Sequence, residues 1–470
     1  MALRRAVKNG KMGNSKSLSE QKFCPQFLPE EQTEVDKLFN VLSSGKGGST
    51  AYGTFSLEAL KSHVREALPA EMVTRLYDSM RRVKLTGKAQ GPSEHVSREQ
   101  FTAALSYLLK GNSEEKSLVV RKMISAEEGP VKAREVQKFT EDLVCSVAHV
   151  LTHRRELRGW TRSQATAPPA SMQALAAQLL SEMKFQDGQK FLGPQWLGQD
   201  CDQTVIEDWL FRVPHVATFL SIVIHKGLLL LCSSLNLATL IPERQVDQGQ
   251  HFESVLDVLS VIYLNSHLAA EHRQRWRLLF STQLHGQSFS QLCGRITYQG
   301  PCLVLLEDSD GQVFGGFSSC SWEVKPQFQG DNTCFLFSIA PRMAVYTHTG
   351  YNNHYMYLNH GQQTMPNGLG MGGQHNYFGL WVDADFGKGH SKAKPTCTTY
   401  NSPQLSAQED FRFDKMEVWG VGVPSETQLA KGKKSILDSD PEAQALLEAS
   451  GRTRHSEGLR EDPSNYDTNE

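Results

Sequence analysis

The sequence predicts an α+β protein in which a helical N-terminal half precedes a mainly antiparallel β domain. Apolar residues recur at helical spacing from Pro29 to about residue 160. Between Gly315 and Gly389, short runs rich in Phe, Val and Trp alternate with Gly, Asn and Asp, as in strands joined by tight turns. The length of 470 residues allows two or three domains.

The composition argues against several classes of protein. The 49 basic and 51 acidic residues nearly balance, so we expect no nucleic-acid partner. The 9 cysteines form no CxxC pair and no apolar signal segment precedes them, so we expect reduced thiols in the cytosol. The most apolar region, Val213 to Ile241, contains His215, His225 and Lys226, and no uncharged run reaches the roughly 18 residues of a spanning helix.

Residues 1–28 are predicted to be a flexible tail with a lipidation motif. The run MGNSKS, from Met12 to Ser17, matches the myristoylation signal M-G-x-x-x-[ST], with Gly13 as the acceptor. Because the signal requires an exposed glycine, either translation starts at Met12 or the match arises by chance. One myristoyl chain binds a membrane only marginally, so a second attachment would come from basic residues, from Cys24 or from a protein partner.

Residues 29–160 predict an EF-hand-like helical module. Helices begin at Pro29 and after Ser56, and Ser97 with Gln100 forms a capping box before another apolar stripe. Helix, loop of about ten residues and helix, repeated twice, resembles a pair of EF-hands. The first loop carries no Asp or Glu, and the second carries only Glu94, so we predict that the module does not bind calcium.

The chain from 132 to 244 continues the helical pattern. A helix is predicted from Lys132 to His153, and residues 161–171, which contain Pro168-Pro169, predict a linker. Residues 172–244 predict a helical segment that docks the N-terminal half onto the β domain.

Several motifs after Phe252 follow one another in a fixed order. They are WRLLFSTQLHGQSFSQLCGRI (276–296), GGFSSCSW (315–322), NYFGLWVDADFGKGHS (376–391), CTTYNSPQLS (397–406) and FDKMEVWGVG (413–422). On these motifs, residues 245–422 resemble the TLDc domain. The chain as a whole is similar to the mTOR-associated, lysosomal branch of that family, whose Met-Gly start lies internally here.

The resemblance implies a two-layer, mainly antiparallel β-sandwich flanked by helices. It also implies roles in oxidative-stress protection, binding to the vacuolar proton-pumping ATPase and association with mTOR pathway proteins at the lysosomal membrane surface. No family enzyme activity or cofactor is implied, so we expect a non-enzymatic regulator or adaptor, peripheral on the cytosolic face of the lysosome. The alternative is a thiol-based enzyme of oxidative-stress defence that acts through Cys320 or Cys334.

The residues of the β domain argue against catalytic and metal sites. Leu303 to Phe317 predicts a hairpin with an Asp-Gly turn. The run Gly368 to Gly373 satisfies GxGxxG, but a strand-like segment rather than a helix follows it. No Gly-x-Ser-x-Gly elbow occurs, and the scattered histidines form no close zinc-binding pair; they are His348, His354, His360, His375 and His390.

Four residues of this domain are predicted from their place in strands. Trp322, Trp381 and Trp419 lie in or beside strand-like runs and should be core. Glu417, between Met416 and Val418, either has a buried partner or faces solvent.

Residues 423–451 predict a linker and a short C-terminal helix. Asp440-Pro441-Glu442 forms a helix start, and an apolar face follows with Ala443, Leu446 and Leu447. This face either binds a partner or packs on the parent domain, because so short a helix is marginal in water. Residues 452–470 are polar and predicted to be disordered.

Overall fold

A computed structural model describes nine stretches of the chain. They are residues 25–44, 53–83, 94–160, 170–185, 193–229, 237–247, 252–362, 364–374 and 376–423. The lipidation motif at Gly13 and the predicted partner-binding helix with Ala443, Leu446 and Leu447 lie outside them. Within the described stretches, no helix is both long enough and apolar enough to cross a bilayer.

The chain folds into two compact units. Of the described residues, the helical unit takes most of those up to residue 237 together with 258–263, and the β unit takes 159–160, 238–247, 252–257 and those from 264 to 423. The mixture of helices with a large antiparallel sheet confirms the predicted α+β class. The finer domain boundaries drawn from the sequence stay predictions.

The described part of the helical unit contains helices α1 to α9 and four two-residue strands. The helices are α1 Pro29–Ser43, α2 Leu57–Val64, α3 Ala70–Arg81, α4 Arg98–Leu109, α5 Ser113–Ile124, α6 Ala133–His153, α7 Ala170–Ser181, α8 Gln203–Arg212 and α9 Pro214–Gly227. The strands are β1 Thr54–Phe55, β2 Val96–Ser97, β3 Val131–Lys132 and β4 Asp200–Cys201.

The short strands pair the helix–loop–helix segments two by two. β1 pairs with β2, as in the EF-hand pair predicted from the sequence, and β3 pairs with β4. The second pairing joins the loop before α6 to the loop before α8. The helices that follow the predicted linker 161–171 therefore complete a second pair, in addition to any docking role of residues 172–244.

Local sequence explains where several of these helices begin. The Ser56 hydroxyl accepts the Ala59 N–H at 3.3 Å, and Ser97 with Gln100 forms the predicted capping box. The first pair encloses an aromatic core in which the Phe55 ring lies 5.7 Å from Phe39 and 5.5 Å from Phe101.

The rest of the described chain supplies four helices and twelve strands. The helices are α10 Leu237–Leu240, α11 Val258–Ser266, α12 Thr282–His285 and α13 Phe289–Ile296. The strands are β5 Glu243–Gln245, β6 Arg275–Ser281, β7 Cys302–Asp308, β8 Val313–Ser318, β9 Lys325–Gln329, β10 Phe335–Ala340, β11 Ala344–Thr347, β12 Met356–Asn359, β13 Gly368–Met371, β14 Leu380–Asp383, β15 Lys388–His390 and β16 Asp410–Val421. Residues of α10 and α11 are divided between the two units.

The twelve strands form one continuous sheet that folds over on itself. Its order is β11-β10-β8-β7-β16-β15-β14-β13-β12-β9, with β6 on β16 and β5 parallel to β6. β16 is 12 residues long; its first residues pair with β15, and the remainder pairs with β6 and β7. One strand thus belongs to both layers of the sandwich.

The two layers enclose a continuous apolar core. It contains residues of β7 and β8 on one side and of β13 and β14 on the other. A Cβ on Gly316 of β8 would lie 2.4 Å from Met371 Sδ of β13, so the glycine allows the Met371 side chain to pack closely against β8. Trp322 and Trp419 are fully buried and Trp381 is nearly so, which confirms the predicted core positions.

The predicted hairpin at Leu303 to Phe317 is confirmed. β7 and β8 pair in register from Cys302–Ser318 to Glu307–Val313. The Asp308 carboxylate accepts the Asp310 and Gln312 N–H groups at 3.1 and 2.8 Å, which closes the turn.

A candidate interaction surface on the β unit

Three loops meet at one edge of the sandwich. The first loop leads into β12, the second connects β13 to β14, and the third follows β15. Because these strands are neighbours in the sheet and run antiparallel, the strand ends that carry the three loops lie side by side. We call residues 348–354, 372–374, 376–378 and 392–402 the loop platform.

Hydrogen bonds between the loops fix the platform. Asn352 donates from Nδ2 to Thr398 Oγ1 at 2.8 Å, and the Thr399 hydroxyl donates to Asn352 Oδ1 at 2.6 Å. The same hydroxyl accepts the Gly373 N–H at 2.8 Å, and His354 Nδ1 lies 2.8 Å from the Gly373 carbonyl oxygen. Each loop is therefore tied to the other two, which limits the conformational entropy that binding a partner would cost.

Two tyrosines project from these fixed loops. Tyr351 is 77% exposed and Tyr377 is 52% exposed, although both are large and partly apolar. Asn376 and Asn401 of the same loops have φ of +66° and +49° and are also exposed. Exposed tyrosine and asparagine on rigid loops are typical of protein-binding surfaces, since the ring gives contact area at low entropy cost.

The glycines of the GxGxxG run are explained by packing beneath the platform. A Cβ on Gly372, whose φ is +73°, would lie 2.5 Å from the ring of Tyr400. A Cβ on Gly370 would lie 2.8 Å from the Trp381 ring and 2.9 Å from Phe378. Gly368 and Gly370 lie in strand β13, and Gly372 and Gly373 lie in the loop that follows it. A strand and not a helix comes next, as predicted, although it begins at Leu380, so the run is not a dinucleotide-binding loop.

A buried carboxylate lies in the part of β16 that joins β6 and β7. Glu417 is 3% exposed; its Oε1 accepts the Val255 N–H at 2.7 Å, and its Oε2 accepts the Ser254 hydroxyl at 2.7 Å and Trp419 Nε1–H at 2.9 Å. Desolvation raises the pKa of Glu417, and the three hydrogen bonds offset part of that rise. Of the two alternatives left open by the sequence, the buried one is therefore present.

Arg244 packs against three aromatic rings, one of them the ring of Trp419, which donates to Glu417. Its guanidinium carbon is 5.7 Å from the centroids of the Trp160 and Trp419 rings and 5.4 Å from that of Phe252. Its Nη2 donates to the Phe252 carbonyl oxygen at 2.8 Å. Sequence reasoning missed Arg244 and Trp160, because both come from segments far along the chain from β16.

Three thiols of the β unit, those of Cys302, Cys320 and Cys334, are poorly suited to nucleophilic chemistry. Burial raises the pKa of the Cys302 thiol to about 11, and it also raises the pKa values of Cys320 and Cys334. A reactive cysteine needs the opposite shift, so this geometry disfavours a thiol-based defence enzyme. Among the described residues, no three His, Cys, Asp or Glu side chains converge as metal ligands would.

Comparison with known proteins places the loop platform and Glu417 inside a recognised domain. Residues 249–422 match the TLDc domain. The chain is 75% identical to MTOR-associated protein MEAK7 of Homo sapiens over 96% of this chain and 99% of that protein. It is 73% identical to the protein of the same name from Mus musculus, over 97% and 100% of the two chains. Nuclear receptor coactivator 7 of Gallus gallus is 31% identical over 36% of this chain and 18% of its own length.

Proposed function

The chain belongs to the TLDc-domain family of vertebrate MTOR-associated proteins, and we propose that it is a non-enzymatic regulator or adaptor in mTOR signalling. The relatives described above are named as an associated protein and a coactivator, and neither name denotes an enzyme. The observation that carries the proposal is the loop platform, a fixed surface with Tyr351 and Tyr377 exposed.

We further propose where the protein acts in the cell and which complex it binds. The protein acts at the cytosolic face of the lysosomal membrane and binds the vacuolar proton-pumping ATPase through the TLDc domain and the C-terminal helix. That helix is predicted from the sequence, and its apolar positions Ala443, Leu446 and Leu447 would supply a second contact. Two weak contacts on one chain give a combined affinity well above either alone.

Co-sedimentation with the soluble sector of the pump tests this proposal. We compare the full-length chain, a form that ends at Gly422, and a full-length Tyr351→Ala/Tyr377→Ala variant. Binding weakened by both changes is the expected result, since each removes one of the two contacts. The matched control is Phe211→Ala, which removes an aromatic ring that is 75% exposed on the helical unit.

The outcomes separate the two contacts. Loss of binding on truncation alone would place the whole contact on the C-terminal residues, and loss with the tyrosine variant alone would place it on the platform. Full-length protein that stays in the supernatant would reject the pump as partner.

The mTOR role is tested separately in cells. Cells that lack the protein should show reduced phosphorylation of an mTOR substrate after nutrient addition, and the wild-type chain should restore it. The Tyr351→Ala/Tyr377→Ala variant should restore it less well than Phe211→Ala, because only the first alters the platform. Equal restoration by both variants would exclude the platform from mTOR signalling.

A further inference from the structure

We propose that Cys320, Cys334 and Met356 form a binding site for a soft monovalent cation of the Cu(I) type. The three residues lie on different segments: Cys320 follows β8, Cys334 precedes β10 and Met356 opens β12. Their sulfur atoms meet around one residue, Gly330, next to a cavity of the β unit. The proposal is independent of the regulator role proposed above.

The separation between Cys320 Sγ and Met356 Sδ suits two ligands of a single small ion. Cys320 Sγ lies 3.8 Å from Met356 Sδ. Metal–sulfur bonds of about 2.3 Å place two ligands of one ion roughly 3.8–4.0 Å apart, so this pair is already at ligand spacing. A Cβ on Gly330 would lie 2.8 Å from Met356 Sδ and 3.0 Å from Cys334 Sγ, so both sulfurs lie against the same side of Gly330.

Gly330 keeps this space open. Its φ is +86°, which an L-residue adopts only with strain, and any side chain would collide with two of the three sulfurs. Its backbone also interacts with the Cys320 thiol. The glycine therefore allows all three sulfurs to approach one residue.

The cavity offers an entry path. It has a volume of about 410 Å³ and is lined by Tyr298, Cys320, Ser321, Glu323, Phe328 and Gly330 among others. Cys320 is half-buried on this cavity, whereas Cys334 and Met356 are buried behind it. An ion would meet Cys320 first and complete its coordination inside.

A third thiol nearby, that of Cys302, is not proposed as a ligand. Cys302 Sγ lies 3.1 Å from the donor Trp322 Nε1 and 3.2 Å from Ser318 Oγ, and the residue is fully buried. Cys334 Sγ is also held, by the Ser319 N–H at 3.3 Å and by Ser319 Oγ at 3.2 Å. Cys334 is assigned as the second thiol ligand because its sulfur, unlike that of Cys302, lies against Gly330 together with Met356 Sδ.

The ligand chemistry selects the class of ion. Thiolate and thioether sulfurs favour soft ions such as Cu(I), whereas a methionine sulfur is a poor ligand for calcium or magnesium. Binding converts two thiols and one free ion into a complex of two thiolates and one thioether, and it releases two protons without any change of oxidation state. Because the third ligand is a methionine, a pattern of histidines and cysteines does not reveal the site.

Anaerobic competition between the full-length protein and a chromogenic Cu(I) chelator tests the proposal. We expect one ion per chain, with the affinity lowered at least tenfold in Met356→Leu, which preserves volume, and in Cys320→Ser, which is half-buried. The matched control is Cys145→Ser, since Cys145 is an exposed thiol on α6 of the helical unit. Thermal unfolding of each apo variant establishes that it is folded.

Two further measurements distinguish metal binding by Cys320, Cys334 and Met356 from a purely structural role of these residues. X-ray absorption should show only sulfur neighbours, at about 2.3 Å. The release of two protons should raise the apparent affinity about 100-fold per pH unit while both thiols are protonated. Equal affinity in wild type, Met356→Leu and Cys320→Ser, or an equal loss in Cys145→Ser, would overturn the proposal.

Discussion

At the residue scale, Glu417 shows how a strand can bury a charge. Its neighbours Met416 and Val418 point to a core strand, and a carboxylate there needs donors from outside that strand. Ser254 and Val255 supply two of them, and Trp419 of β16 itself supplies a third donor. The residues before α11 are thereby fastened to β16, so one side chain links a loop to the strand shared by both layers.

The pH dependence of stability should reveal this carboxylate. Because its folded pKa is raised, the native state binds more protons than the unfolded chain between the ordinary pKa of about 4.5 and the folded value. Its contribution to the free energy of unfolding is therefore present at low pH and is lost as the pH rises through that window. Glu417→Gln should remove this slope, as measured by denaturant unfolding from pH 5 to 8.

The same variant should also lose a hydrogen bond. A glutamine has one acceptor oxygen, so either the Val255 N–H or the Trp419 Nε1–H is left without its acceptor, at a cost of about 1–3 kcal/mol. Glu243→Gln is the control, because that carboxylate is exposed in its ion pair with Arg275. An unchanged pH slope in Glu417→Gln would show that another group causes it.

Gly370 should tolerate no side chain. Its Cβ would lie 2.8 Å from Trp381 and 2.9 Å from Phe378, so Gly370→Ala should destabilise the protein by about 1–3 kcal/mol through overpacking. Gly294→Ala is the control, because Gly294 is exposed in α13 and its Cβ would have no neighbour within 4 Å. There the alanine should stabilise by about 0.5–1 kcal/mol. Chemical denaturation of both variants measures the contrast, and equal effects would contradict the packing argument.

At the element scale, the helical unit is built from pairs of helix–loop–helix segments. The sequence predicted the first pair, because Ser56, Ser97 and Gln100 are local signals that end loops and start helices. It did not reveal the second pair. β3 and β4 have two residues each, and their pairing joins positions that no local pattern connects. Pairing at such a distance along the chain is decided by tertiary packing, which local propensity does not encode.

In the β unit, too, local sequence patterns predicted single elements but not contacts between distant segments. The turn at Asp308 to Gly311 and the buried tryptophans were predictable from composition and alternation. The loop platform was not, because Asn352, Gly373 and Thr399 meet only after the strands are arranged. The Gly- and Asn-rich loops were visible in the sequence, but their convergence depends on strand order.

Calcium should not stabilise the helical unit. If Gly129, with φ of +121°, is the sixth residue of an EF-hand loop, the first and third ligand positions are Ile124 and Ala126, which have no side-chain oxygen. Glu135, at the twelfth position, is engaged as a cap on the Lys132 N–H at 2.8 Å. In the first loop, if Gly53 is likewise the sixth residue, Ala59 takes the twelfth position, where a calcium site needs a bidentate Glu.

Thermal unfolding with excess calcium or with chelator provides the measurement. A site with 100-fold excess of ion over its dissociation constant would add about 2.7 kcal/mol to the free energy of unfolding, and we expect no such shift. A known calcium-binding EF-hand protein, run in parallel, is the positive control. A reproducible rise in the midpoint with calcium would mean that backbone oxygens complete a site despite these substitutions.

At the scale of the whole molecule, the proposed membrane role depends on segments at the two ends of the sequence. The lipid signal at Gly13 precedes the helical unit, and the apolar positions Leu446 and Leu447 follow the β unit. A single acyl chain binds membranes too weakly to hold a protein for long. The proposed pump contact and the predicted acyl chain are therefore expected to act together, each raising the effective concentration of the other.

This cooperation gives a prediction for translation start and acylation. In cells fed an alkyne analogue of myristate, a form that starts at Met12 should be labelled, whereas the same form with Gly13→Ala and a form that starts only at Met1 should not. On isolated lysosomes, the labelled form should be retained best. Either Gly13→Ala or truncation after Gly422 should lower retention, and the two changes together should abolish it, because each contact alone is marginal. If the form that starts at Met1 is retained as fully as the labelled one, protein contacts suffice and the acyl chain is not the anchor.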